Sequence, residues 1–210
     1  MLRRQTVAAL LAVIVILALR PAGAEAACAN LTPTRPGEVY LYRGLGNVFS
    51  RGMDEMGREF TRLGMESCVL HHATWSGLAN DIIERSYQNA VSYPIIIAGH
   101  SQGAKVSTLM ATYLGRRGIP VAFVALFDPV EPTWVGANVE EVLNFYIDRP
   151  WRDKHVKPAH GFTGTIENID IAGRPNVNHY SIDKDKGLQQ IVYDRAIALS
   201  DATVIELVIE

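Results

Sequence analysis

Six apolar runs follow one another along the chain from residue 38 onward. They are rich in β-branched and aromatic residues and are bounded by glycine, proline or polar residues, which is typical of buried strands. The runs are VYLYRG (39–44), ESCVLHH (66–72), YPIIIAG (93–99), VAFVALF (121–127), EVLNFYI (141–147) and the weaker TIENIDI (165–171).

The stretches between these runs have the spacing of amphipathic helices. Helices are predicted near 51–63, around 78–91, directly after the third run, and from about 186 to 200. Ser50 is a candidate cap for the first helix, Gly64 lies just past its end, and Gly118 and Pro120 end the third helix. The residues expected to face the core are Met53, Met56, Phe60, Leu63, Leu78, Ile82, Ile83, Ala90, Val91, Val106, Leu109, Met110, Tyr113, Leu114, Leu188, Ile191, Val192, Ala196 and Leu199.

Apolar strands that alternate with helices predict an α/β fold, a three-layer sandwich with a mostly parallel central sheet of about six strands. The chain shows no repeat, linker or low-complexity tract, so residues 27–210 are interpreted as one domain. Parallel sheets place their functional groups at the carboxyl ends of the strands. The residues that follow each strand are therefore the ones to inspect.

A G-x-S-x-G sequence follows the third strand, as Gly99-His100-Ser101-Gln102-Gly103. A serine on a tight strand-to-helix turn leaves no room for side chains two positions away, and glycine removes those collisions. The turn exposes the hydroxyl and directs a helix N-terminus toward it, which favours a developing negative charge. Ser101 is therefore the predicted nucleophile.

This elbow, followed by Ala104, resembles that of the α/β-hydrolase superfamily, including small esterases, cutinases and thioesterases. The resemblance covers nearly all of the chain after the N-terminal segment and implies a minimal α/β-hydrolase fold. It also implies a catalytic order of Ser, then Asp or Glu, then His. The fold that it implies puts the base in the loop before the last helix, which selects His179, with His160 in reserve.

Two aspartates follow strands and compete for the role of the acid. Asp128 comes directly after the fourth strand, and Asp148 comes directly after the fifth. The resemblance to thioesterase domains favours the earlier position, and Asp148 has Arg149 beside it as a ready partner. Asp128 is the preferred acid and Asp148 the alternative.

An oxyanion hole requires two backbone N–H groups near the nucleophile. One is expected from Gln102, the residue after Ser101. The resemblance assigns the other to Leu45, in the glycine-containing loop after the first strand. Arg43 precedes Gly44 in this loop, at a position where the family often has histidine.

The N-terminus has the form of a signal peptide, here assigned to residues 1–26. Arg3 and Arg4 precede an apolar run over 7–19 that is short for a membrane span, and small residues follow it. Export, to the periplasm or outside the cell, is therefore expected, with an uncleaved membrane anchor as the alternative. In an oxidising compartment the two cysteines, Cys28 and Cys68, are expected to pair.

Composition removes several other classes of function. The chain has 210 residues with 20% charged residues and a formal net charge of −2, and no basic stripe favours nucleic acid. No phosphate-binding or dinucleotide-binding glycine motif occurs, and no metal or other cofactor is expected. The expected partner is a small-molecule or lipid acyl ester, with membrane contact allowed but not required.

The sequence thus predicts a serine hydrolase that cleaves an ester or thioester. A non-catalytic envelope protein that keeps the fold and binds a ligand is the alternative. The segments 130–140 and 150–158 are interpreted as loops that shape the pocket. Trp134, Trp151 and Phe162 either line this pocket or anchor the loops.

Overall fold

The computed structural model describes residues 33–45 and 49–209, with side chains up to residue 205. Within them a six-stranded sheet has the order β2-β1-β3-β4-β6-β8, and every neighbouring pair is parallel. The strands are β1 Glu38–Arg43, β2 Glu66–His71, β3 Ile95–His100, β4 Val121–Phe127, β5 Thr133–Val135, β6 Val139–Tyr146, β7 Val156–Pro158 and β8 Thr165–Asp170.

Helices cover both faces of the sheet, and each face has its own apolar core. They are α1 Arg51–Arg62, α2 Trp75–Tyr87, α3 Gln102–Gly115 and α4 Lys186–Ile209. Helices α1 and α4 pack on one face through residues such as Phe60 and Val192, and α2 and α3 pack on the other through residues such as Ile82 and Met110. The predicted α/β sandwich is confirmed, because the apolar runs supply a sheet that is buried on both sides.

Three of the predicted core positions on the helices are exposed. Leu109 and Ile191 are exposed, because each lies at the edge of its helix's apolar stripe, where the period of 3.6 residues turns the side chain outward. Helix α2 ends at Tyr87, so Ala90 and Val91 lie beyond it, and Ala90 is exposed. Val91 and Tyr113 are partly buried and pack against the core.

A second, two-stranded parallel sheet was not predicted. Strands β5 and β7 form it, and they lie in the segments interpreted as pocket-shaping loops. Each has three residues, which is too short to show an apolar period. The pairing holds the segment between β6 and β7 against the body of the protein, and Lys154 lies in that segment.

The predicted signal peptide and Cys28 lie outside the described residues, so cleavage and the disulfide stay predictions. Cys68 is buried in β2, with Tyr40 of β1 as its register partner. Among the described residues, no helix is both long and apolar enough to cross a membrane.

Candidate functional site

Ser101 sits on a strained turn between β3 and α3. Its backbone has φ 59° and ψ −116°, a conformation that residues other than glycine rarely adopt. Its N–H donates to the carbonyl of Phe127 at 3.0 Å. A Cβ on Gly99 would lie 2.4 Å from the backbone of Gly103, and one on Gly103 would lie 2.0 Å from the carbonyl oxygen of Tyr42. The two glycines are therefore needed for the close approach of α3 to β1 and β3.

The side chains of Ser101, Asp128 and His179 meet at this turn. The Ser101 Oγ lies 3.0 Å from Nε2 of His179, and Nδ1 of His179 lies 2.6 Å from Oδ2 of Asp128. A carboxylate only accepts, so Nδ1 carries the imidazole proton and Nε2 is left to accept from the serine hydroxyl. Strands β3 and β4 are neighbours, with His100 in register with Phe127, which brings the residues after them side by side.

Asp128 is fully buried and each of its oxygens has a partner. Oδ2 accepts from His179, while Oδ1 accepts from the N–H of Ile147 at 3.0 Å and from Nζ of Lys154 at 2.5 Å. Burial by itself would raise the pKa of Asp128, but the hydrogen bonds from His179 and Lys154 outweigh it and the pKa is lowered. The carboxylate is thus ionised at neutral pH.

The alternative acid lies outside this cluster. Asp148 is exposed, and its N–H donates to Oδ1 of Asp170 at 3.0 Å. Among the described residues, the carboxylate hydrogen-bonded to His179 is that of Asp128.

Among the described residues, no histidine other than His179 is hydrogen-bonded to the Ser101 hydroxyl. His71 ends β2 and His72 follows it, with their ring centroids 4.1 Å apart, and His155 pairs with Asp153. His160 is exposed in the loop before β8.

His100 has a structural role that the sequence did not reveal. It is buried, its Nε2 donates to the backbone carbonyl of His179 at 2.7 Å, and its Nδ1 lies 2.8 Å from Oγ of Ser50. Burial, reinforced by the nearby His179, lowers the pKa of His100 to about 4. The neutral ring therefore donates through Nε2 and accepts at Nδ1 from the Ser50 hydroxyl.

Ser50 does not use its side chain to cap α1, contrary to expectation. Its hydroxyl accepts the N–H of Gly44 at 2.8 Å and donates to His100, so it makes no hydrogen bond to the first turn of α1. Asp183 replaces it, because Oδ2 of this buried carboxyl accepts the N–H of Gly52 in the first turn of α1 at 2.8 Å. Long-range contacts of this kind leave no local pattern in the sequence.

The loop after β1 passes directly against Ser101. A Cβ on Gly44 would lie 3.1 Å from Cβ of Ser101, so glycine permits the contact. The N–H of Gly44 is used by Ser50, which leaves that of Leu45 as the next donor along this loop. Gln102 is the first residue of α3, so its N–H has no acceptor within the helix.

Exposed apolar side chains occur on the two loops that carry Gly44 and His179. Leu45 is 71% exposed, Phe49 52% and Tyr180 59%, and the Phe49 and Tyr180 rings lie 5.2 Å apart. Tyr180 is also in edge contact with the His179 ring at 5.4 Å. These three residues are called the apolar rim below.

The aromatic residues considered for the pocket have other surroundings. Phe162 packs partly buried against the core beside α2 and α3, and thus anchors its loop. Trp134 lies on β5 with Nζ of Lys157 5.8 Å from its ring, and Trp151 is almost fully exposed. Within the described part of the chain, no group of three or more His, Cys, Asp or Glu residues could hold a metal ion.

Comparison with known proteins finds similarity of shape. No protein-family model and no curated protein sequence matches the chain. One similar solved structure is described as a hydrolase of the alpha/beta superfamily from Xanthomonas campestris pv. campestris. It is 14% identical, with 75% of this chain and 99% of that chain covered and a TM-score of 0.43.

Another similar structure is the type II thioesterase of the yersiniabactin NRPS/PKS biosynthetic pathway. It is 12% identical, with 84% of this chain and 99% of that chain covered and a TM-score of 0.46. A variant of the same thioesterase gives a TM-score of 0.45. The chain itself has an α/β sandwich fold with a parallel six-stranded sheet. The function is proposed below from the geometry of the site.

Proposed function

We propose that the protein is a serine hydrolase that cleaves an acyl ester or thioester through Ser101, His179 and Asp128. The observation that carries the proposal is the unbroken chain of hydrogen bonds from Oγ of Ser101 through both ring nitrogens of His179 to a buried carboxylate. The strained backbone of Ser101 supports it, because such strain persists where a particular side-chain position is required.

In the first half of the proposed reaction, Oγ of Ser101 attacks the acyl carbonyl carbon while Nε2 of His179 takes the hydroxyl proton. The carbonyl electrons move to oxygen, where the N–H groups of Gln102 and Leu45 stabilise the negative charge by about 3–4 kcal/mol for each donor. Collapse expels the alcohol or thiol, which leaves with the proton from His179.

In the second half, water attacks the acyl-serine and His179 takes its proton. The tetrahedral species then collapses, Ser101 recovers its proton from His179, and the carboxylic acid departs. Asp128 keeps the imidazole in the required tautomer and stabilises the imidazolium, and it exchanges no proton itself. All of these steps use only water and groups of the chain.

The apolar rim favours a substrate whose acyl group has a substantial apolar part. An acyl chain lying against Leu45, Phe49 and Tyr180 would remove apolar surface from water on both partners. A short polar ester gains little from these contacts. Esters of increasing acyl length are therefore the substrates to compare.

Turnover of such a series by wild type and Ser101→Ala tests the proposal. We expect wild type to hydrolyse the esters and Ser101→Ala to lose turnover while keeping its thermal unfolding transition. Phe49→Ala is expected to lower kcat/KM roughly threefold or more for octanoyl esters and little for acetyl esters. Tyr87→Ala, which removes an exposed aromatic ring on α2, is the matched control and should change neither value. Equal turnover by Ser101→Ala would exclude Ser101 as the nucleophile.

We also propose that the protein is exported after removal of residues 1–26. The support is the sequence pattern alone, since this segment lies outside the described residues. N-terminal sequencing of protein recovered outside the cytoplasm tests it. A chain that still begins at Met1 would favour the membrane-anchor alternative.

A further inference from the structure

Lys154 is a buried lysine that the proposed reaction does not use. Its side chain is 3% exposed, and its Nζ lies 2.5 Å from Oδ1 of the fully buried Asp128. Burying an ammonium group is costly, and a hydrogen-bond donor alone would suffice to hold the carboxylate. The N–H of Ile147 already donates to the same oxygen at 3.0 Å.

Two side-chain amides of the main sheet hold the backbone around Lys154. Nδ2 of Asn144, on β6, donates to the carbonyl of Lys154 at 2.9 Å and to Oδ1 of Asn168, on β8, at 2.8 Å. Asn168 in turn exchanges hydrogen bonds with the backbone N–H and carbonyl of Val156 at 2.9 and 3.0 Å. The ammonium is thus placed by the sheet and by the β5–β7 pair, and not by a solvated loop.

The two oxygens of Asp128 therefore face two different cations during the proposed reaction. One is the permanent ammonium of Lys154, and the other is the imidazolium that forms on His179 when it takes the serine proton. A carboxylate shared with a fixed cation stabilises a second cation less than a carboxylate that is not shared. Lys154 would then oppose protonation of His179.

We propose that Lys154 is a positioning residue that sets the pH range of this site by offsetting the charge of Asp128, so that His179 stays available as a base in more acidic solution. The proposal rests on the proposed function, since it assigns a base role to His179. It goes beyond that function by assigning a role to a residue that touches no reacting atom.

The other titratable side chains that the described residues place near His179 are His100, Tyr180 and Lys184. His100 is neutral near pH 7, because burial lowers its pKa to about 4. Tyr180 contacts the His179 ring, and Nζ of Lys184 donates to the carbonyl of Tyr180 at 2.9 Å. A change at Lys154 leaves all three in place, so a shift in the pH profile would report the ammonium.

The test is the rate of Ser101 labelling by a fluorophosphonate as a function of pH, which requires no knowledge of the substrate. Lys154→Gln keeps a donor for Oδ1 and removes the charge, and Lys154→Met removes both. We expect the acid limb of the rate profile to move upward by about one pH unit in both variants. The plateau labelling rate is expected to fall further in Lys154→Met than in Lys154→Gln, because methionine offers no donor to Oδ1 of Asp128. Lys157→Gln, the same substitution at a half-exposed lysine that pairs with Asp153, is the matched control and should leave the limb unmoved.

The outcomes separate this proposal from the proposed function. No labelling of Ser101 in wild type would reject the hydrolase proposal itself. Normal labelling of wild type with an unmoved acid limb in both folded variants would overturn the role of Lys154 alone. Failure of both variants to fold, judged by circular dichroism, would also overturn it and make Lys154 a residue required for folding.

Discussion

His100 donates its Nε2 proton to the backbone carbonyl of His179, at 2.7 Å, so the residue before the proposed nucleophile holds the loop that carries the proposed base. The same ring accepts from Ser50, which accepts from Gly44 in the loop of the proposed oxyanion hole. One chain of hydrogen bonds thus links the two loops that flank Ser101. Because the pKa of His100 is lowered to about 4, the direction of this chain is constant at neutral pH.

His100→Ala removes both hydrogen bonds and leaves the hydroxyl of Ser50 and the carbonyl of His179 without this partner. We expect roughly 1–3 kcal/mol lower free energy of unfolding and about tenfold slower fluorophosphonate labelling of Ser101. His160→Ala, at an exposed loop position, is the control and should match wild type. Labelling at the wild-type rate in His100→Ala would show that the ring does not position the site.

Gly103→Ala places a Cβ where it would lie 2.0 Å from the carbonyl oxygen of Tyr42. Helix α3 has to move away from β1, which displaces Ser101 at its start. We expect a loss of about 1–3 kcal/mol in the free energy of unfolding, together with loss of labelling. Gly77→Ala is the matched control, since a Cβ there meets nothing within 4 Å and alanine favours helix α2. Its free energy of unfolding should be unchanged or slightly higher, and the two variants behaving alike would contradict the packing argument.

Asp128→Asn and Asp148→Asn make the same substitution at the two candidate acids. Asp128 accepts from Nδ1 of His179 at 2.6 Å, whereas Asp148 is exposed. Asparagine at 128 no longer enforces the tautomer that leaves Nε2 free to accept, so we expect kcat to fall by about three orders of magnitude or more. Asp148→Asn should stay within about twofold of wild type. Steady-state hydrolysis of one ester decides the ranking, and the reverse order would move the acid to Asp148.

Asp183 predicts a pH dependence of stability. Burial raises its pKa to about 6, although the N–H of Gly52 opposes the shift. Between about pH 4 and pH 6 the folded chain holds a proton on Asp183 that the unfolded chain has released. The free energy of unfolding contributed by this group is therefore present at low pH and is lost as the pH rises through 6.

Asp183→Asn removes this titration, so comparison with wild type isolates it from other carboxyl groups. We expect wild type to lose on the order of 2–3 kcal/mol relative to the variant between pH 4 and pH 7. Denaturant unfolding at several pH values measures the difference. Asp148→Asn is the control, and its free energy of unfolding should change with pH as that of wild type does. The same pH dependence in Asp183→Asn would contradict the prediction.

The sequence predicted the sheet and the position of Ser101 because both depend on local signals. Strands β3 and β4 are continuous apolar runs, and Gly99 and Gly103 are spaced for a turn whose close contacts the structure reports directly. The choice between Asp128 and Asp148 could not be made in this way, since each follows a strand. It depends on strand order, because β4 lies beside β3 and β6 lies one strand further away.

The sequence could not predict the roles of Lys154, Ser50 and Asp183 for a related reason. Each acts on a residue far along the chain, and each belongs to a type that is usually solvated or local in its contacts. Lys154 also depends on the β5–β7 pair, whose three-residue strands show no recognisable pattern. Residues of this kind are identified by their burial and their hydrogen-bond partners in the folded protein, and neither can be seen in the sequence.

Labelling of the folded protein with a fluorophosphonate, followed by mass spectrometric location of the adduct, tests the central claim most directly. The claim is that Ser101 is activated by His179, so a single adduct on Ser101 is predicted. The adduct should be absent in Ser101→Ala and much slower to form in His179→Ala. A folded wild-type protein that gives no adduct, or one modified at another serine, would contradict the claim and favour a protein that binds its ligand without turning it over.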